Sequence, residues 1–151
     1  MSFYNHMRSE VVEVIIKNIV TTPKGVALFL GNNEKTFIIY VDLLMGEQIT
    51  SCQQARNVTR PLTYDFIRNL CFGFDIEVQH IVITDMKEGI FFARVLLKQQ
   101  CEGIIKIVEL DSRPSDAILL ALTHKKPLWV DRGLFQDLPD VKDLAKNWIK
   151  D

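Results

Sequence analysis

The pattern of apolar residues in the first third of the chain predicts a three-stranded meander. From Glu10 to Ile19 the chain is rich in β-branched residues, which pack well on a pleated surface. A turn follows at Thr22 to Gly25. Val26 to Leu30 and Thr36 to Val41 are apolar runs on either side of a polar Gly-Asn-Asn loop that tolerates positive φ, so they predict a hairpin.

Two helices are predicted after this meander. Asp42 can cap the first, which carries apolar residues at helical spacing and ends in the polar stretch from Gln53 to Asn57. The second is predicted to begin at Pro61, because proline suits the first helical position and pushes Arg60 out of the α region. This second helix should end near Cys71.

The middle of the chain predicts a second meander. Its three apolar strands are separated by loops so short that neighbouring strands must run antiparallel. These strands lie near Glu77 to Thr84, Ile90 to Leu97 and Ile104 to Leu110.

The last third predicts two helices and a short strand. The segment from Pro114 to about His124 is apolar on nearly every side, which is typical of a buried helix. A strand from Pro127 to Val130 and a closing helix from Asp140 to Lys150 follow. The predicted fold class is therefore α+β, with two antiparallel meanders in a mixed or antiparallel sheet packed with about four helices. No linker interrupts the chain, so we expect a single domain over residues 1–151.

Composition and charge narrow the class of protein. The 18 basic and 19 acidic residues leave a net charge of -1, so nucleic-acid binding would have to use a local patch. No apolar run approaches the roughly 18 residues that cross a bilayer. Cysteines at Cys52, Cys71 and Cys101 are widely spaced and predict reduced thiols. We therefore expect a soluble cytoplasmic protein without membrane contact.

The segment from Asp111 to Asp116 is the first candidate site. It gathers polar side chains between an apolar strand and an apolar helix, where free N–H groups and the helix dipole favour anions. Two structural interpretations compete with a ligand or catalytic role. Asp116 stands at the third helical position and can reach back to the amide of Arg113 as in a capping box. Alternatively, an ion pair between Asp111 and Arg113 can hold the turn.

Further acids lie upstream of this segment. Glu47 follows Gly46, and Asp65 lies in the first turn of the second helix, where the helix dipole favours an acid. Each is readily interpreted as a structural or solvated residue. The histidines are too dispersed to suggest a metal site, and the phosphate-loop, GxSxG and HExxH signatures are missing.

Between about Val11 and Asp131, the chain contains a series of short sequence blocks that resemble, in the same order, those of the bifunctional nuclease family. Asp111 to Ala121 carries the most specific part, the sequence RPSDA, and Ser112 stands where alanine is usual. Supporting blocks are Gly46-Glu47, Arg60-Pro61-Leu62-Thr63-Tyr64-Asp65, Gly89-Ile90-Phe91-Phe92-Ala93-Arg94-Val95 and Pro127. The resemblance implies hydrolysis of phosphodiester bonds in RNA and DNA.

On this resemblance, carboxylates would activate water and hold one or two divalent ions, with Mg²⁺ or Mn²⁺ as the natural choice for oxygen ligands. Asp111 and Asp116 are the predicted metal ligands. The predicted catalytic acids are Asp111, Asp116, Glu47 and Asp65, and the predicted phosphate-binding residues are Arg60, Arg113 and Ser115. Their convergence beside the start of the buried helix is the central expectation.

Two other functions stay open at this stage. One is a non-catalytic module that binds an anion or a partner protein, and the other is an oligomerising scaffold. Single-stranded RNA or DNA is the partner that a nuclease would need. A symmetric dimer is the expected assembly, since exposed strand edges and Phe91-Phe92 can pack against a second copy.

Overall fold

A computed structural model describes residues 10–55 and 59–147 of the protein. The described chain contains five helices: α1 (Leu43–Gln53), α2 (Thr63–Gly73), α3 (Pro114–His124), α4 (Arg132–Asp137) and α5 (Lys142–Asn147). Its seven strands are β1 (Val11–Thr22), β2 (Gly25–Gly31), β3 (Thr36–Val41), β4 (Ile76–Lys87), β5 (Ile90–Cys101), β6 (Ile104–Ser112) and β7 (Leu128–Asp131).

All seven strands belong to one sheet, in the order β3-β2-β1-β7-β4-β5-β6. Both predicted meanders are present and antiparallel. The short strand β7 lies between them, antiparallel to β1 and parallel to β4, so it joins the two meanders through main-chain pairing. The predicted α+β class with a mixed sheet is confirmed.

Helix α3 is the centre of the helical layer. It contacts α1 and α2 on its sides and β4 and β5 beneath it. Burial of Ala117, Ile118, Leu119 and Ala121 agrees with the prediction of a buried helix. No helix in the described ranges is long and apolar enough to span a membrane.

The sheet is strongly curved around this helical layer. Phe37 on the edge strand β3 lies 6.3 Å, centroid to centroid, from Phe91 on β5, although four other strands separate β3 from β5 in the sheet. Phe37 also meets Phe135 of α4 edge to face, at 6.2 Å. This curvature brings the end of β3 close to the β4–β5 hairpin, which no local sequence pattern predicts.

The segment after β7 covers the open edge of β3. Thr36 donates its N–H to Asp140 Oδ1 at 3.0 Å and accepts from the Val141 N–H at 2.8 Å. Those contacts lower the pKa of Asp140, chiefly through the Thr36 N–H. The Lys35 ammonium donates to three carbonyl oxygens near the end of α4, at 2.6–2.7 Å. The chain itself therefore covers the start of the β3 edge at Thr36.

Several predicted helix boundaries were wrong. Helix α2 begins at Thr63 and not at Pro61, because Asp65 accepts the Leu62 N–H at 3.0 Å and makes Leu62 the N-cap. Helix α4 was not predicted. Of the closing helix expected from Asp140 to Lys150, the described part is α5, and its last expected residues lie outside the described ranges.

Candidate functional site

The curvature of the sheet creates a cleft of about 360 Å³ at the amino end of α3. Three segments that are distant in sequence form its walls: the end of β3, the β4–β5 hairpin and the β6–α3 turn. The lining residues are Ile38 to Asp42, Gly89 to Phe91, and Arg113 to Ser115. Two of the predicted site residues, Arg113 and Ser115, therefore face one cavity.

The β6–α3 turn follows from its local sequence. Arg113 is extended, with φ -68° and ψ 145°, as expected for a residue before proline. Pro114 then occupies the first helical position, where its missing N–H costs no helical hydrogen bond. The first helical bond runs from the Ala117 N–H to the Arg113 carbonyl oxygen at 3.0 Å. The predicted start of α3 is confirmed.

Arg113 and Asp116 form a two-pronged ion pair within this turn. The guanidinium donates from Nε to Asp116 Oδ2 at 2.7 Å and from Nη2 to Asp116 Oδ1 at 3.0 Å. These bonds are the main cause of a raised pKa for Arg113, and the charge of Asp42 adds a smaller contribution. The carboxylate of Asp116 thus binds the arginine side chain and not the amide that a capping box would require.

The amino end of α3 is an electropositive wall of the cleft. The N–H groups of Ser115 and Asp116 lie in the first turn, where helical geometry offers no carbonyl partner. Arg113, the N-cap residue, makes no side-chain capping bond to them. Partial positive charge from the helix dipole adds to the guanidinium charge at this point.

Asp42 is a cleft residue that sequence reasoning assigned only to helix capping. The predicted cap is confirmed, since Asp42 Oδ1 accepts the Met45 N–H at 2.8 Å. Its carboxylate also lies close enough to Arg113 to influence that guanidinium. The sequence does not indicate that Asp42 is a cleft residue, because only the curvature of the sheet brings Asp42 close to Arg113.

The cleft also has an aromatic and aliphatic rim. Tyr40 is 60% exposed and Ile90 is 63% exposed, and both line the opening. Such side chains offer flat apolar surface next to the polar floor formed by Arg113 and Ser115.

Asp111 lies outside this group of cleft-lining residues. It faces Arg94 across the β5–β6 ladder, and Arg94 Nε lies 4.0 Å from Asp111 Oδ1. The carboxylate side chain is 70% exposed. The alternative ion pair of Asp111 with Arg113 does not form, because Asp116 takes that guanidinium.

The upstream candidates occupy other surfaces. Glu47 lines a groove of about 720 Å³ beside α1, together with Leu43 and Leu44. Asp65 lines a smaller cavity of about 210 Å³ with Arg68, whose Nη2 lies 3.6 Å from its Oδ1. Arg60 is exposed in the loop before α2. Their functional roles remain predictions.

The expected convergence of Glu47, Asp65, Asp111 and Asp116 on a single site is wrong, since they lie beside different partners and cavities. Within residues 10–55 and 59–147, no three acids, histidines or cysteines are close enough to hold a metal ion. Asp111 and Asp116, the predicted metal ligands, each face an arginine instead. The described donor set does not fit a magnesium or manganese centre.

Together, the curved mixed sheet, the central helix and the RPSDA turn define an α+β protein with a cleft at the start of α3. The chain belongs to the bifunctional nuclease family, since the profile of the bifunctional nuclease domain matches residues 27–141. The resemblance noted from the sequence is thereby confirmed.

Two curated relatives come from Mycobacterium tuberculosis, from strain CDC 1551 / Oshkosh and strain ATCC 25618 / H37Rv. Each is described as an uncharacterized protein and is 26% identical over 117 residues, which cover 75% of this chain and 67% of the relative. They extend the family likeness without adding an activity.

Proposed function

We propose that this protein is a nuclease that hydrolyses phosphodiester bonds of single-stranded RNA or DNA, with a backbone phosphate held in the cleft at the start of α3. Family membership supports the reaction class. The observation that carries the proposal is the guanidinium of Arg113, which Asp116 orients beside the free amides of α3 and the cleft.

The ion pair leaves part of the guanidinium available to a phosphate. Asp116 uses Nε and one terminal nitrogen of Arg113, while the other terminal nitrogen keeps its donors. Arginine binds phosphate oxygens with directed, charge-assisted hydrogen bonds. The N–H groups at the start of α3 add donors of the kind that commonly bind phosphate.

Local groups of the cleft fit a nucleotide better than the overall charge does. With a net charge of -1, the chain has no general attraction for nucleic acid, so binding depends on the hydrogen-bond donors of Arg113 and of the first turn of α3. Tyr40 offers an exposed ring on which a base can stack, which suits single strands with unpaired bases.

Asp42 is the carboxylate that we propose as the base. In hydrolysis a water oxygen bonds to phosphorus, the ester P–O bond breaks, and the proton of the water passes through the carboxylate to the leaving oxygen. Arg113 would stabilise the charge that develops on the phosphate oxygens. No step of this scheme uses a metal ion.

The test is a cleavage assay with tag-free protein cleared of contaminating nucleases. Single-stranded RNA and DNA are incubated with Mg²⁺, Mn²⁺ or EDTA, so any ion requirement registers. Arg113→Ala should lower kcat/KM by about 100-fold, the typical cost of losing one charge-stabilising donor. Asp42→Asn keeps a capping oxygen and should lower the rate with little loss of stability.

Arg132→Ala is the matched control, because it removes an arginine of α4 that does not line the cleft. Glu47→Gln, Asp65→Asn and Asp111→Asn test the other predicted catalytic acids. Full activity in Arg113→Ala, or loss of activity only in these three variants, would contradict a site in the cleft.

A second candidate is a non-catalytic module that binds an anion or a partner protein. This function is favoured because two of the predicted catalytic acids have structural partners within the fold. Asp116 binds Arg113, and Asp65 accepts the Leu62 N–H. Fluorescence anisotropy with labelled oligonucleotides separates the two functions. Binding that depends on Arg113 without cleavage under any ion condition would favour the module.

A further inference from the structure

The two edges of the sheet are covered very differently. On the β3 edge, Thr36 is bonded to Asp140 and Val141. At the opposite edge, β6 has β5 as its neighbour and no further strand in the part of the chain that the structure describes. Every second residue of an edge strand points its N–H and C=O groups outward, ready to pair with another strand.

The side chains of β6 are unusually apolar for a free edge. Ile104 is 72% exposed, Ile105 55%, Ile107 54% and Leu110 45%. Ile104 and Leu110 lie on one face of the sheet, and Ile105 and Ile107 lie on the other. Proteins commonly protect such edges with proline, bulges or inward-pointing charges. In β6 the pairing register with β5 is continuous, proline is missing and Lys106 is the only basic residue.

We infer that β6 is a dimer interface at which it pairs antiparallel with β6 of a second copy, so that two seven-stranded sheets become one continuous sheet. A two-fold axis perpendicular to the sheet generates this arrangement, and each copy contributes the same surface. Residues that oppose each other across such an axis must come from the same face of the sheet.

Repulsion between like charges excludes two of the registers in which most of β6 would be paired. A register centred on Lys106 would oppose two lysines, and one centred on Glu109 would oppose two glutamates, which is unfavourable in either case. A register centred on Val108 would form a single apolar pair, Val108 with Val108, and would place Ile107 against the partner's Glu109 and Ile105 against the partner's Asp111.

The register centred on Ile107 is the best match. It pairs Ile107 with the same residue of the other copy and Ile104 with Leu110 twice, so three apolar pairs form along the strand. Ile105 opposes the partner's Glu109 in this register, and no like charges oppose each other directly.

The acids of β6 also fit a copy of the same strand. Arg94 of β5 lies 3.7 Å from Glu109 and 4.0 Å from Asp111, so both acids already have a basic neighbour within their own copy. A partner therefore needs to supply apolar side chains and main-chain hydrogen-bonding groups. A second copy of β6 supplies the first through its isoleucines and the second through its outward-pointing N–H and C=O groups.

The first test is a charge-complementation experiment on molecular mass. Sedimentation or light scattering should find a dimer for the unmodified chain. Ile107→Glu and Ile107→Lys should each give a folded monomer, because identical charges would meet at the two-fold axis. An equimolar mixture of the two variants should restore a dimer, now a heterodimer.

Ile15→Glu is the control, since Ile15 is 62% exposed on β1 and far from β6 in the strand order. It should leave the dimer intact. An unmodified chain that stays monomeric at every concentration, or a dimer that survives both Ile107 variants, would overturn the inference.

The register is tested by oxidation in a Cys101→Ser background. Ile107→Cys should form a disulfide between copies, because opposed Cα atoms lie within the reach of a disulfide. Ile105→Cys should not, since the two Ile105 Cα atoms would be about 14 Å apart in this register. Cross-linking through position 105 and not 107 would refute the register. Neither test depends on nuclease activity.

Discussion

His124 is the described side chain with a buried polar atom that lacks a partner. Its Nε2 finds no hydrogen-bond partner among the described residues. Burial lowers the pKa of His124, and the charges of Arg68 and Lys126 lower it further. His124 lies in the last turn of α3, where a charged imidazole would interact favourably with the helix dipole. Desolvation outweighs that interaction and keeps the imidazole neutral.

Stability should therefore fall in mildly acidic solution. The folded-state pKa of His124 lies below its unfolded value near 6.5, so the unfolded chain binds a proton first as the pH drops. The contribution is complete above about pH 6.5 and is lost as the pH falls through the folded-state pKa. Melting temperatures measured from roughly pH 8 to pH 5 should fall less steeply for His124→Gln than for the unmodified chain.

Asp140→Asn is the control for this prediction. The pKa of Asp140 is also lowered, but from a value near 3.8, so its contribution is lost only in more acidic solution. Its melting curve above pH 5 should keep the slope of the unmodified chain. Parallel slopes for His124→Gln and the unmodified chain would contradict a neutral buried His124.

Local sequence identified part of the candidate site. Arg113 and Ser115 were predicted from the proline-started helix and the RPSDA block, and both line the cleft. Asp42 and Tyr40 were not predicted as site residues, since they reach the cleft through curvature of the sheet. Chemical type alone could not show that Glu47 and Asp65 lie outside the cleft, because acids in helices also occur for structural reasons, as Asp65 does in the first turn of α2.

Packing between elements explains why α1 contains a glycine. A Cβ atom at Gly46 would lie 2.4 Å from Val26 Cγ2 and 2.7 Å from Val26 Cβ on β2. Rotation of the valine side chain cannot relieve the second contact. The close approach of α1 to β2 therefore requires a residue without a side chain at this position.

Gly46→Ala should destabilise the protein by about 1–3 kcal/mol through overpacking. The sign is opposite to that in an exposed helix, where alanine is better than glycine by about 1 kcal/mol. The measurement is the free energy of unfolding in urea. A matched Val26→Gly background removes both contact atoms and should therefore remove most of the cost, and strictly additive effects in the double variant would argue against this contact.

Strands and helices were predicted with different success. The hairpins follow from apolar runs between turn residues, and all three strands of each meander appear with small shifts at their ends. Arg60-Pro61 and Arg113-Pro114 look alike, yet only the second pair begins a helix, because Asp65 moves the N-cap to Leu62. Helix α4 has six residues and contains Gly133, too short a segment for a periodic apolar pattern.

The four-residue strand β7 connects the two meanders of the sheet. Val130 of β7 is fully buried, opposite Val12 of β1 and beside Ile83 of β4. The sequence predicted β7 itself, whereas its place between the meanders results from pairing between distant segments. Both halves of the sheet therefore share a contact at this strand.

Val130→Ala should lower the free energy of unfolding by on the order of 2 kcal/mol, for lost burial and the cavity that remains. Hydrogen exchange should show the loss of protection in both meanders, because β7 bonds to each of them. A loss of protection confined to one meander would mean that β7 does not couple them. Ile15→Ala, at a position that is 62% exposed on β1 and outside the pairing with β7, is the comparison and should have a much smaller effect.

The seal on the β3 edge also determines when the fold can be completed during synthesis. Lys35 and Thr36, on one side of the bonds that cover this edge, are synthesised early. The residues on the other side, Phe135 to Val141, leave the ribosome at least 100 residues after Lys35. A nascent chain that already contains the first hairpin therefore carries an open strand edge until nearly the whole described sequence has emerged. During translation, this edge is therefore open to pairing with neighbouring chains.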